Sequence, residues 1–160
     1  MRFHSRYDAL GKTYEYKIYN SRVIDPFIKD TSYFVPYKLD IEKMLRVKDL
    51  FEGEHDFKGF MSTGSSVDNT VRKIHNIRMN EKNKIIKFTI TGNGFLYNMV
   101  RIIVGTLIDI GRGKIEEDSI EKVIKSKDRK LAGHTAKAEG LFLKRVYYEY
   151  NKQELEKEMK

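Results

Sequence analysis

The segment from Phe95 to Ile110 limits the fold more than any other stretch of the chain. Phe95, Leu96, Met99, Val100, Ile102, Ile103, Leu107 and Ile110 place apolar side chains on nearly every side of a helix, and such a helix belongs inside a protein. Its polar residues Asn98, Arg101, Gly105, Asp109 and Arg112 recur at spacings of three and four and so share one stripe. A buried helix needs another layer to pack against. The 160 residues suffice for one sizeable core, because a chain near this length buries roughly 70% of its unfolded surface. With no Cys, disulfides, a thiolate nucleophile, Cys-ligated zinc and iron–sulfur clusters are all excluded.

The second layer reads as strands. Residues 2–7 and 12–19 are β-prone and joined by Asp8-Ala9-Leu10-Gly11, a predicted hairpin. Tyr14, Tyr16 and Ile18 fall on one face of its second strand at period two. After an irregular connection holding Pro26 and Pro36, Asp40 is placed to cap a helix reaching about Phe51. Residues 55–69 read as a long polar loop. Residues 71–79 and 85–91 make a second hairpin about the turn Asn80-Glu81-Lys82-Asn83, and Glu116-Glu117-Asp118 open a helix to about Ser126. A last strand runs from Leu141 to Tyr150. The expectation is an α+β domain over residues 1–150, with a mainly antiparallel sheet and helices packed on one face, followed by a frayed charged tail at 151–160.

The four histidines, His4, His55, His75 and His134, show no ligand spacing, so no metal is expected. Gly92-Asn93-Gly94 and Gly111-Arg112-Gly113-Lys114 complete no nucleotide motif, and no cofactor is expected. No apolar run approaches the ~20 residues of a membrane span, and Met1-Arg2-Phe3-His4 lacks a signal-peptide core; the reading is cytoplasmic, with no membrane partner. The 31 Lys and Arg against 23 Asp and Glu, with ten Tyr, suit a polyanion partner or simply a solvated surface.

Arg101 is the residue these patterns isolate. A guanidinium midway along an apolar helix keeps its proton and needs an anion or water. Asp109, the acid on its stripe, is eight residues on, about 12 Å along the axis, and too far to pair. Arg101 either snorkels to the surface and pairs elsewhere, or lines a cleft and holds a phosphate or carboxylate. Tyr14 reads as a core tyrosine or a cleft residue, and His55-Asp56 as a turn cap before acid–base work. Arg72, Lys73 and Arg78 on one strand, with Lys12 and Lys17 on another, form a phosphate-tracking surface or a solvated one.

Five runs in register carry a resemblance: Lys12-Thr13-Tyr14-Glu15-Tyr16-Lys17-Ile18-Tyr19-Asn20; Glu52-Gly53-Glu54-His55-Asp56-Phe57 with Phe60; Thr70-Val71-Arg72; Gly94-Phe95-Leu96-Tyr97-Asn98-Met99-Val100-Arg101-Ile102-Ile103-Val104-Gly105; and Thr135-Ala136-Lys137-Ala138-Glu139-Gly140-Leu141-Phe142-Leu143. The chain resembles the C-terminal half of the tRNA pseudouridine synthase A family from about Phe3 to Tyr150. The resemblance implies a pseudouridine synthase-like fold and cofactor-free isomerisation of uridine in the anticodon stem-loop of tRNA, with the base flipped out. It implies that Tyr14 stacks on the uracil and takes part in proton transfer, that Arg101 pairs with a catalytic aspartate, and that Leu141 or Leu143 packs beneath the base. Lys12 and Arg72, from the basic strands, are expected to contact substrate. The family's aspartate lies in a Gly-Arg-Thr-Asp run that this chain lacks. Met1 also stands directly before what reads as an internal strand. The expectation is therefore a C-terminal domain without its nucleophile, inactive alone, whose partners are tRNA, a missing N-terminal domain and a second copy. A stand-alone RNA-binding module of the same fold is the alternative. Arg101 and Tyr14 are expected to meet in one concavity where Arg101 has no carboxylate partner.

Overall fold

A computed structural model describes residues 2, 4, 5 and 8–160. Strand β1 (Gly11–Asn20) is the spine of a sheet ordered β2-β1-β5-β4-β3, where β2 is Tyr33–Val35, β3 Gly53–Asp56, β4 Val71–Lys82 and β5 Ile85–Gly92. Strand β6 (Leu141–Tyr147) pairs with the first half of β1, beside which β2 takes the last three residues. The sheet is mixed: β1 with β2 is parallel, and the other pairings are antiparallel. Of the expected hairpin strand at 2–7, residues 3, 6 and 7 lie outside the described residues, and Arg2, His4 and Ser5 belong to no strand.

Alternation along β1 decides which face is core. Tyr14, Tyr16 and Ile18 stand opposite Ile90, Phe88 and Ile86 of β5, and Ile77 and Met79 of β4 continue those rows. Helices α1 (Ile41–Val47), α2 (Met99–Gly111) and α3 (Ser119–Ser126) cover this face. Asp40 caps α1 as expected, its Oδ1 accepting from the Lys43 N–H at 3.0 Å. The second hairpin turns tightly on Asn83 and Lys84, whose φ of 54° and 67° suit the twist of the flanking strands, so β4 runs on to Lys82 through most of the expected four-residue turn while β5 starts at Ile85 as expected.

Three expectations are corrected. Helix α2 starts at Met99, four residues late, because Asn98 adopts a left-handed backbone at φ 58°. Phe95 and Leu96 are apolar because the loop before the helix is itself packed down: Phe95 meets the Tyr14 ring edge-on at 5.1 Å and Leu96 is buried. The polar loop at 55–69 begins as β3 and hides Phe57 and Phe60, with Phe60 5.1 Å from Phe51. The charged tail is not frayed: Lys152–Glu158 form α4, which buries Leu155 and lies on the opposite face of the sheet, so the helices are not confined to one face. There Glu158 bonds Asn76 and Arg78, whose neighbours Ile77 and Met79 point into the core. No helix among the described residues is long and apolar enough to cross a membrane.

Candidate functional site

Helix α2 buries every residue but one, and the exception is Arg101. Its guanidinium leaves the helix near the N-terminus, where two groups hold it. Nε donates to the Ala136 carbonyl at 2.7 Å and Nη1 to Asn98 Oδ1 at 3.1 Å. A guanidinium has five N–H donors, so three remain. No acid among the described residues pairs with it. Asp109 is occupied elsewhere, as its distance along the helix requires: its Oδ2 accepts from the His134 backbone N–H at 2.9 Å and its Oδ1 meets His134 Nδ1 at 3.0 Å. Burial pushes the Asp109 carboxyl up, but the hydrogen bonds from His134 outweigh it and hold the group below its ordinary value.

Arg101 opens on a cleft of about 100 Å³ whose walls include Tyr14, Phe95, Asn98 and Leu141. Strand β1 brings Tyr14 to it and β6, through the pairing of Tyr16 with Leu141, brings the leucine. Tyr14 is half-buried against the core, and burial raises its hydroxyl above the usual phenol value, so it stays protonated at neutral pH. It suits stacking, or donating a proton, better than acting as a base.

The other candidates lie at varying distance. Leu143 stands opposite Tyr14 but is 53% exposed and not part of the cleft wall. Lys12 precedes Tyr14 on the same face, opposite Gly92. The Arg72 stem runs beside Gly94, and its Nη1 donates to the Asn69 and Val71 carbonyls. Both therefore flank the loop that carries Phe95. Asp56 caps a turn, accepting from the Lys58 N–H at 3.0 Å and from the Thr70 hydroxyl at 2.6 Å. His55 Nε2 bonds the Glu52 carbonyl; neither residue reaches the cleft.

Sequence reasoning did not single out Asn98 or Ala136. Asn98 Nδ2 donates to Ser62 Oγ at 2.9 Å while its Oδ1 takes Arg101, so it links the serine-rich loop to the guanidinium. Its place in the polar stripe was the available signal. Ala136 acts through a main-chain oxygen, for which a side-chain pattern carries no signal. Among the described residues, no three of His, Asp and Glu stand close enough to hold a metal ion.

Comparison assigns the chain with this sheet and cleft to a family of RNA-modifying enzymes. The family described as tRNA pseudouridine synthase matches residues 48–149, and the chain belongs to it. It is 52% identical over 148 residues to tRNA pseudouridine synthase A of Acetivibrio thermocellus, covering 92% of this chain and 61% of that protein. Its identity to the proteins of the same name from Geobacillus sp. and Staphylococcus aureus is 45% and 42%, covering 59% and 56% of their lengths. The match falls on the C-terminal part of these relatives, so the chain spans somewhat over half of their length.

Proposed function

We propose that this chain forms one wall of the uridine-isomerising site of a tRNA pseudouridine synthase acting on the anticodon stem-loop, in the cytoplasm. Arg101 receives the carboxylate of a catalytic aspartate carried by a segment outside this chain, Tyr14 stacks on the flipped uracil, and Leu141, with Leu143 beyond it, supports the base from below. Lys12 and Arg72 hold flanking phosphates.

The observation that carries this reading is Arg101 itself: a guanidinium with three uncommitted donors, fixed in a cleft beside a half-buried tyrosine, with no acid among the described residues to pair with. Ordinary ligand sites hold about 300 to 1,000 Å³, and a hollow of about 100 Å³ fits one wall of such a site. An arginine positions and stabilises a carboxylate but cannot replace it as nucleophile. The chain incubated alone with tRNA is therefore expected to form no pseudouridine by carbodiimide labelling, and to form it when an Asp-bearing N-terminal half of a relative is added. Turnover by the chain alone would overturn the reading. Its partners are thus tRNA and that half; pairing with a second copy is checked by sedimentation.

A further inference from the structure

Residues 133–136 lie as a strap along α2, and the two ends of the contact differ in kind. At the first end the strap is clamped: Gly133 N–H donates to Thr106 Oγ1 at 2.9 Å, and His134 meets Asp109 through both its backbone and its ring. A carboxylate can only accept, so Nδ1 carries the hydrogen; Nε2 then faces the Tyr33 hydroxyl at 2.9 Å. Asp109 is 2% exposed, which makes this clamp expensive to open. At the other end, Ala136 N–H donates to the Arg101 carbonyl at 3.0 Å and the Ala136 carbonyl accepts Arg101 Nε.

Between the two ends there is no slack. A Cβ added to Gly105 would stand 1.7 Å from the His134 carbonyl oxygen, and one added to Gly133 would stand 2.5 Å from Thr106 Cα. Backbone lies on backbone, so a shift at His134 is passed to Ala136 two residues on, within the ~7 Å that two extended residues span.

We infer that His134 is a positioning residue for Arg101: by locking the strap to Asp109 and Tyr33 it places the Ala136 carbonyl, and that carbonyl sets the guanidinium so that its free donors face the cleft. This deepens, and rests on, the reading of Arg101 as a carboxylate receptor. A rival fastening is present. Arg129 donates to the Gly133 carbonyl at 2.8 Å and to Thr135 Oγ1 at 3.2 Å from the other side. If Arg129 alone suffices, His134 is dispensable.

The Arg101 Nε–H proton separates the cases, because its bond to Ala136 shields it from water exchange and makes it visible by nitrogen-resolved NMR. His134→Ala is expected to speed that exchange about 10-fold and to weaken binding of acetate, the carboxylate probe, by a similar factor, the worth of one hydrogen bond. His134→Asn, whose amide reproduces Nδ1–H, recovers most of both; His134→Gln, which mimics only Nε2, does not. Tyr33→Phe serves if His134→Ala fails to fold, and is expected to speed exchange about 3-fold. Exchange unchanged in these variants, or rescue by Gln as complete as by Asn, overturns the inference. Acetate that leaves the wild-type Arg101 signal unmoved overturns the carboxylate-receptor reading instead, and the exchange rates still decide whether His134 positions the guanidinium.

Discussion

A charged side chain on a helix that buries 12 of its 13 residues persists because main-chain and amide oxygens offset part of its desolvation while it keeps donors for a partner. Asp109, on the same helix, is the opposite case: an acid whose needs are met inside the fold. Its carboxyl is held below its ordinary value, so the stability it contributes is present above about pH 3.9, the unfolded aspartate value, and is lost as pH falls from there through the lower folded value. Asp109→Asn is expected to cost about 2 kcal/mol at pH 7, the loss of charge-assisted hydrogen bonds in a buried site. Denaturant melts at a series of pH values check this. The gap between wild type and variant should close as acid protonates Asp109, and a gap constant down to strongly acidic pH would show that the charge contributes nothing. Arg101 was legible from the sequence because an apolar helix makes a cation conspicuous. The Asp109–His134 pair was not, since 25 positions separate the two residues and a lone histidine carries no spacing signal.

At the scale of elements, periodicity told strands and helices apart wherever one face was buried. Strands β1 and β5 follow their apolar alternation closely, whereas β4 breaks it at a bulge between Ile74 and Asn76. Helix α1, started by its Asp40 cap, ends at Val47 and reaches Phe51 only as a 3-10 turn. Periodicity failed where apolar residues were buried without being periodic, as in the loop before α2, and where a helix was held by charge. Helix α4 has Leu155 as its one buried residue, and its other anchors are polar contacts to residues far off in sequence: a hydrogen bond from Asn76 to Glu158 and ion pairs of Glu154 with Arg145 at 2.5 Å and Glu158 with Arg78 at 3.0 Å. Those pairs are half exposed and contribute little, whereas burying one leucine contributes about 1.5 to 3 kcal/mol. Deleting residues 152–160 is therefore expected to lower the melting temperature by about 5 °C, and Leu155→Ala should reproduce most of that loss while Glu154→Ala does not. Calorimetry of the three variants checks the division; a truncated chain melting like the full one would return the tail to the frayed state that its composition suggests.

The whole molecule presents two unlike faces, with the cleft on the side of α1 to α3 and the acidic residues of α4 laid over the other. The net charge is +8, and on the cleft side Lys12 and Arg72 flank the loop leading to Phe95. If RNA is held there by phosphate contacts, affinity should fall linearly with salt on logarithmic axes, at about 0.7 to 0.9 per phosphate neutralised. Arg72→Ala should shallow that slope by about one and weaken all RNAs alike, because a phosphate contact carries no sequence information. Tyr14→Ala should weaken binding while leaving the slope unchanged, since a ring stacked on a base releases no counterion. Filter binding of tRNA across a salt series measures both quantities at once. With one wall of the site present, the wild-type chain is expected to bind weakly and with marked salt dependence; tight binding that ignored salt would instead describe a stand-alone RNA-binding module, in which the cleft at Arg101 is not awaiting a carboxylate.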